Sequence, residues 1–163
     1  MSAKIQRITP FLWFDSEAEE AANFYTSVFD NSRIVAVTRY GKSASQPTGR
    51  PPGSVMIVAF QLDGQDFTAL NGGPMFKFNE SVSFVVNCAS QAEVDRYWDA
   101  LGAGGDPKAQ QCGWLKDRYG LSWQIVPTEA ISMMTDPDTA KTERVMAEVM
   151  QMKKIDLKKL RAA

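Results

Sequence analysis

The stretch Asp63–Leu70, DGQDFTAL, is answered later in the chain by Asp117–Val126, DRYGLSWQIV. Setting Gly64 on Gly120 places Phe67 on Trp123 and Thr68 on Gln124. In both copies an Asp-led turn feeds a strand rich in aromatic and β-branched residues. Asp63-Gly64 lies between two strand patterns, Ser54–Leu62 (SVMIVAFQL) and Gln65–Leu70, so it reads as a tight hairpin.

The same order of elements precedes each hairpin. Ile5–Phe14 reads as a strand that Pro10 confines to an edge or a bulge. A helix follows over about residues 17–29, with Ser16 and Glu19 at capping-box spacing and Ala18, Ala21, Ala22, Tyr25 and Phe29 at helical spacing. Arg33–Tyr40 reads as a strand. Gly41–Gly53, GKSASQPTGRPPG, reads as a long exposed loop. The order then repeats. Ser81–Cys88 is a strand, and Ser90 with Glu93 opens a helix whose apolar face carries Val94, Tyr97, Trp98 and Leu101. Gly102, Gly104 and Gly105 end it. Gly113–Lys116 is a short strand, and Leu121–Val126 is a strand that stops at Pro127. Phe24-Tyr25 and Tyr97-Trp98 occupy the same place in their helices. In such a duplication neither half buries its sheet alone. The expectation is an α+β fold of two βαβββ modules, residues 1–76 and 77–127, pairing into a curved antiparallel or mixed sheet cup. A helical tail, 128–163, completes it. There Val145, Val149 and Met152 share a face, while Lys153, Lys154, Lys158, Lys159 and Arg161 make the end basic.

Composition narrows the function. The chain has 163 residues, 44% of them apolar, which suits one compact domain or two small modules. Eighteen basic residues against 19 acidic ones leave a net charge of -1, which argues against a nucleic-acid partner. No apolar run spans a membrane and the N-terminus lacks a signal-peptide core, so a cytoplasmic protein without a membrane partner is expected. Cys88 and Cys112 are too few for a disulfide scaffold. There is no histidine, which excludes His-based triads, His-rich metal centres and His proton shuttles.

Taken together, ITPFLWF, EEAANFYTSVFDNSRI, VMIVAFQLDGQDFTALNGGPMFKFNESVSFVVNC, QAEVDRYWDALGAGG and CGWLKDRYGLSWQIVP resemble the vicinal oxygen chelate superfamily with its glyoxalase-like fold. More closely, the chain resembles the PhnB-like group, which often carries a 3-demethylubiquinone 3-methyltransferase-type name. The stretches cover residues 5–127 nearly continuously. The resemblance implies a divalent metal held near the start of each module's first strand and on its last strand. The matching positions here are Thr9, Thr68, Ser81 and Gln124, the first-strand ones to within one residue, because Pro10 disturbs the register. Hydroxyls and one amide are poor ligands where hard cations prefer carboxylates, so neither a metal nor a cofactor is expected. No GxGxxG-type loop opens a helix after a strand. The resemblance also implies a homodimer. The strip Val145, Val149 and Met152 offers apolar surface for one, though it could equally dock on its own chain.

By strand alternation Thr9 shares a face with Phe11 and Trp13, Thr68 with Leu70, Ser81 with Ser83 and Val85, and Gln124 with Ser122 and Val126. An apolar wall with a few hydroxyls and one amide suits a small-molecule pocket. The same residues could instead pack a core. The candidate ligand-binding residues are Thr9, Trp13, Thr68, Leu70, Asn71, Ser81 and Gln124, around a cavity between the modules with Asn71 near its rim. Cys112 is the remaining nucleophile candidate, with Lys108, Lys116 or Arg118 as sources of positive potential; an inert buried thiol is the alternative. Asp63 and Asp117 read as turn formers. Three functions follow: a small-molecule binder or enzyme lacking the usual metal ligands, a non-catalytic sequestration protein resembling drug-resistance members, or an interaction protein using its C-terminal helices.

Overall fold

The computed structural model describes residues 5–163 and forms two compact units that divide between Lys77 and Phe78. The architecture is α+β, with one sheet in each unit and helices closing the chain.

The first unit runs β1 (Phe11–Phe14), α1 (Ala18–Val28), β2 (Arg33–Arg39), α2 (Lys42–Thr48), β3 (Val55–Leu62) and β4 (Gln65–Asn71). Its sheet has the order β1-β4-β3-β2, with β1 parallel to β4 and the other pairs antiparallel. Asp63 (φ 45°) and Gly64 (φ 75°) both take positive φ, the signature of the tight hairpin turn. The strand expected from Ile5 begins only at Phe11. Pro10 has no N–H to pair, and only its carbonyl joins the ladder, accepting from Thr68 N at 2.9 Å. Ahead of it the Gln6 side chain imitates a strand peptide: Nε2 donates to Asp66 O and Oε1 accepts from Asp66 N, both at 2.9 Å.

Helix α1 lies close on the sheet because its inner face is small: Ala18, Ala21 and Ala22 are buried. Tyr25 stacks on Phe60 and Phe60 on Phe67, with centroids 6.5 and 5.5 Å apart. The expected Ser16–Glu19 capping box does not form. Instead Asn71, at the end of β4, caps the helix from a distance: its Oδ1 accepts from Ala18 N at 2.8 Å. The segment 41–53 is not loop throughout. Lys42–Thr48 closes into a short helix that ends on Gly49 in the left-handed region.

The second unit runs β5 (Ser83–Cys88), α3 (Gln91–Gly102), a 3-10 turn (Pro107–Ala109), β6 (Trp114–Lys116), β7 (Ser122–Pro127), α4 (Thr128–Met134), α5 (Thr139–Val149) and α6 (Leu157–Ala162). Its sheet has three strands, ordered β5-β7-β6, with β5 parallel and β6 antiparallel to β7. The fourth strand of the expected repeat is absent here. Gly104, Gly105 and Pro107 fill that stretch, and such residues favour the observed turn over a strand. Helix α3 is capped by its own Ser90, whose Oγ accepts from Glu93 N, while the Glu93 carboxylate reaches one residue past the cap and accepts from Ala89 N.

The tail belongs to this unit. Ala130, Val145, Val149, Met152, Ile155, Leu157 and Leu160 make one buried cluster, so the strip considered for a dimer contact is covered by its own chain. The chain after α5 is tied by backbone bonds, Cys112 N to Met152 O (2.8 Å) and Gly113 N to Lys153 O (2.7 Å). Gln91 clamps it as well, donating to Ile155 O and accepting from Leu157 N. Among the described residues no helix is long and apolar enough to cross a membrane.

Candidate functional site

Strand alternation gives each sheet one face against its own helix and one face turned away from it. In the first unit Leu12, Phe14, Val58, Phe60, Phe67 and Ala69 are buried on the α1 side. The other face carries Phe11 and Trp13 on β1, in register with Thr68 and Leu70 on β4, which are in turn in register with Ala59 and Ile57 on β3. In the second unit Val86, Cys88, Leu115, Trp123 and Ile125 are buried on the α3 side. The away face carries Val85, Gln124 and Trp114 as one cross-strand row, and Ser83, Ser122 and Lys116 as the next.

The sequence-derived set separates on these faces. Thr68 and Leu70 sit half-buried on the first away face. Trp13 sits beside them, but its indole N–H is spent on Gly73 O at 2.8 Å and its ring meets Phe76 edge-on at 5.0 Å. Gly72 is required there, because a Cβ would lie 2.3 Å from the indole. Asn71 is on the opposite face: it is buried, caps α1, donates through Nδ2 to Val55 O and takes the Tyr40 hydroxyl on its backbone carbonyl. Thr9 is exposed and outside β1. Ser81 is exposed in a turn, where both its N–H and its hydroxyl donate to Asn79 Oδ1.

Gln124 is half-buried on the second away face, and its Nε2 donates to Ser83 Oγ at 2.9 Å. Ser83, rather than Ser81, is therefore its hydroxyl neighbour. Among the described residues the rest of the amide, including its carbonyl oxygen, has no protein partner. The indole N–H of Trp114, paired with Gln124 across the strands, likewise has none. Lys116, two residues on, ion-pairs with Glu80, and the ammonium holds the Glu80 carboxyl below the usual carboxylate range. Trp114, Lys116 and Glu80 were not among the sequence-derived site residues. Counting back from the Asp117–Gly120 turn would have set Lys116 and Trp114 opposite Ser122 and Gln124, but β6 is too short to advertise its alternation.

Two polar groups that sequence singled out are structural. Asp117 is buried, with Oδ1 accepting from Tyr119 N and Leu121 N and Oδ2 from Trp123 Nε1 at 2.8 Å. Cys112 packs against the tail cluster, while Lys116 is committed to Glu80 and Arg118 donates to Ala103 O. Burial pushes the Cys88 thiol up to about 11, which keeps it protonated and unreactive near neutral pH.

The divalent metal implied by the superfamily does not fit the residues present. Thr68 stands between Phe11 and Ala59, Gln124 between Val85 and Trp114, and no carboxylate shares either row. Among the described residues no three Cys, Asp or Glu side chains gather to hold an ion, and the chain has no histidine.

Comparison with known proteins adds identity to this geometry. Residues 6–126 match the sequence family described as 3-demethylubiquinone-9 3-methyltransferase. A putative 3-demethylubiquinone-9 3-methyltransferase, the PhnB protein from Bacillus cereus, is 36% identical, with a TM-score of 0.64 over 75% of this chain and 99% of its own. Protein PA1353 from Pseudomonas aeruginosa shares the fold at 22% identity, with a TM-score of 0.58 over 76% of this chain and 98% of its own. The fosfomycin resistance protein FosX from Mesorhizobium loti shares it at 16% identity, with a TM-score of 0.52 over 79% of this chain and 99% of its own. No curated protein matches the sequence.

Proposed function

The chain belongs to the 3-demethylubiquinone-9 3-methyltransferase family, a PhnB-like branch of the vicinal oxygen chelate superfamily, and from that premise we propose that it binds a small organic molecule without a metal. One observation carries the reading. Gln124, Trp114 and Ser83 present polar groups on a sheet face that their own helix does not cover, and part of that polarity has no protein partner among the described residues. A half-buried amide left short of partners is costly, and a ligand carbonyl or hydroxyl relieves the cost. Trp114, Val85 and Val126 supply the apolar surround that small-molecule sites have.

Methyl transfer, named in the family's description, finds no support in these residues. The two mixed sheets have no glycine-rich strand-to-helix loop of the nucleotide-binding kind. Binding or sequestration is the preferred reading, and turnover of the bound compound would separate an enzyme from a binder. A thermal-shift screen of a metabolite library, run on the native chain and on Gln124→Ala, tests it. Loss of one ligand hydrogen bond weakens binding by about 0.5–1.5 kcal/mol. A ligand held equally well by Gln124→Ala would remove Gln124 from the site.

A homodimer and a cytoplasmic location are part of the same proposal. The Val145–Val149–Met152 strip no longer supports the dimer, since it is buried in its own unit, so the family resemblance alone carries it. Light scattering at micromolar protein is expected to give twice the chain mass, and a concentration-independent monomer would end that part of the proposal.

A further inference from the structure

The second away face has a cation, and an acid from outside the sheet is attached to it. Lys116 stands on β6 next to the Gln124–Trp114 pair, with its side chain only 25% exposed. Its partner Glu80 precedes β5, lies in no strand, and has a side chain 63% exposed. Three kinds of donor are thus neighbours on one small face: the Lys116 ammonium, the Gln124 amide and the Trp114 indole N–H. Among the described residues the only carboxylate bonded to any of them is Glu80, and it is held by a single exposed ion pair. Such pairs contribute little and exchange readily for another anion. A set of donors answered by one loosely held carboxylate is what an anion site looks like when a side chain fills it.

We infer that this face receives the carboxylate or other acidic oxygens of a small aromatic or apolar acid, which displaces Glu80 from Lys116. The acid head takes the ammonium, the free N–H of Gln124 and the indole N–H. The apolar body lies along Val85, Val126 and the Trp114 ring. Glu80 acts as an internal competitor that keeps the lysine neutralised until the ligand arrives. The inference rests on the small-molecule reading above and adds the charge of the ligand and the residue that gates it.

Benzoate is a suitable probe, with benzamide as its uncharged counterpart. Side-chain amide and indole resonances report the site directly in 15N-labelled protein. Benzoate is expected to shift the Gln124 amide and Trp114 indole signals, saturating at millimolar concentration, while benzamide leaves them unmoved. Glu80→Gln is expected to tighten benzoate roughly threefold by removing the competitor, and Lys116→Gln to abolish the shifts. Unchanged spectra elsewhere verify the fold of both variants. Benzamide binding as well as benzoate would overturn the anionic assignment while leaving the binding face intact. Tighter benzoate binding in Lys116→Gln, or no gain in Glu80→Gln, would also overturn it. No shift from either probe in any variant, together with no hit in the metabolite screen, would overturn both readings.

Discussion

Thr68 in the first unit and Gln124 in the second hold the same place in their sheets. Each lies on the closing strand of its hairpin, flanked by the parallel first strand and the antiparallel hairpin partner. The neighbours are Phe11 and Ala59 in one case, Val85 and Trp114 in the other. One row toward the turn the chemistry inverts. The first unit puts Asp66 beside Gln61, whose Nε2 donates to Asp66 Oδ1 at 2.7 Å. The second puts Ser122 beside Lys116, whose ammonium is matched by Glu80. Duplication has kept the backbone and the register and left the charge on the face free to diverge. The first face is mainly apolar, with a row in which Arg33 donates to Gln61 and Gln61 to the Asp66 carboxylate; the second is a donor face. This contrast is the basis for proposing a ligand, and an acidic one, at the second unit.

The two hairpin turns offer the strongest way to break the comparison. Asp117 is a buried acceptor for two backbone N–H groups and the Trp123 indole, whereas Asp63 is exposed. Asp117→Ala is expected to destabilise the protein by about 3–5 kcal/mol, since several buried donors lose a charged acceptor at once. Urea unfolding followed by tryptophan emission measures it. A loss below about 1 kcal/mol would mean that the two turns are equivalent after all.

The helix starts differ next. At the end of β4 Asn71 caps α1 from the sheet, while the corresponding end of β7 is Pro127 and α3 is capped by its own Ser90. Asn71→Ala removes two side-chain bonds, a buried one to Ala18 N and a part-buried one to Val55 O, and is expected to cost about 2–3 kcal/mol. Ser90→Ala removes one exposed cap and is expected to cost about 1 kcal/mol. Equal losses in chemical denaturation would show that the remote cap has no more weight than the local one.

These two caps also show what a sequence does and does not carry. Ser90 and Glu93 are three residues apart, and a local pattern finds them. Asn71 lies 53 residues from the N–H it accepts, so no local pattern can, and Ser16 was read in its place. The match of Thr68 with Gln124 was legible because the hairpins align through their glycines. Ser81 is a candidate in the sequence because the strand pattern starts there. The Asn79 side chain holds Ser81 in a turn, so the strand starts at Ser83, and Ser83 takes the place on the face that the pattern offers Ser81. Glu80 lies in the same turn, outside any strand, so alternation along β5 does not place it. Pro10 likewise leaves Thr9 outside β1. The missing fourth strand of the second unit was written in Gly104, Gly105 and Pro107, which the repeat pattern outweighed.

The third comparison is between Phe14 and Cys88, the last residues of the two first strands, both buried against their helices. Only Cys88 can titrate, and burial raises its thiol from the usual 9.0 to about 11. The folded thiol stays protonated while the unfolded one ionises. The stability this holds is therefore present below pH 9 and lost as pH rises toward about 11, on the order of 2 kcal/mol. Cys88→Ala is expected to flatten that part of the stability profile. In native protein at pH 8 a thiol reagent is expected to modify Cys112 and spare Cys88 until the chain unfolds. Rapid native labelling of Cys88 would remove the basis for the shift.

The smallest effect lies in the first hairpin turn, where both central residues take positive φ. Asn tolerates that region better than Asp or any branched residue, and Asn-Gly is the preferred pair for a turn of this hand. Asp63 contributes no side-chain bond to the turn: its backbone N–H donates to Ser32 Oγ, an interaction any residue but proline can make. Asp63→Asn is therefore expected to leave that bond in place and to stabilise the hairpin by a few tenths of a kcal/mol. The same change at the other turn, Asp117→Asn, removes the charge from a buried acceptor and turns one carboxylate oxygen into a donor. That donor would face Trp123 Nε1–H or the backbone N–H groups of Tyr119 and Leu121, with a loss of about 2 kcal/mol or more. Opposite signs for one substitution at the aspartate of each turn would establish that the turns share a place in the repeat without their aspartates sharing a role. Two losses of similar size would reduce the difference between the units to the faces alone.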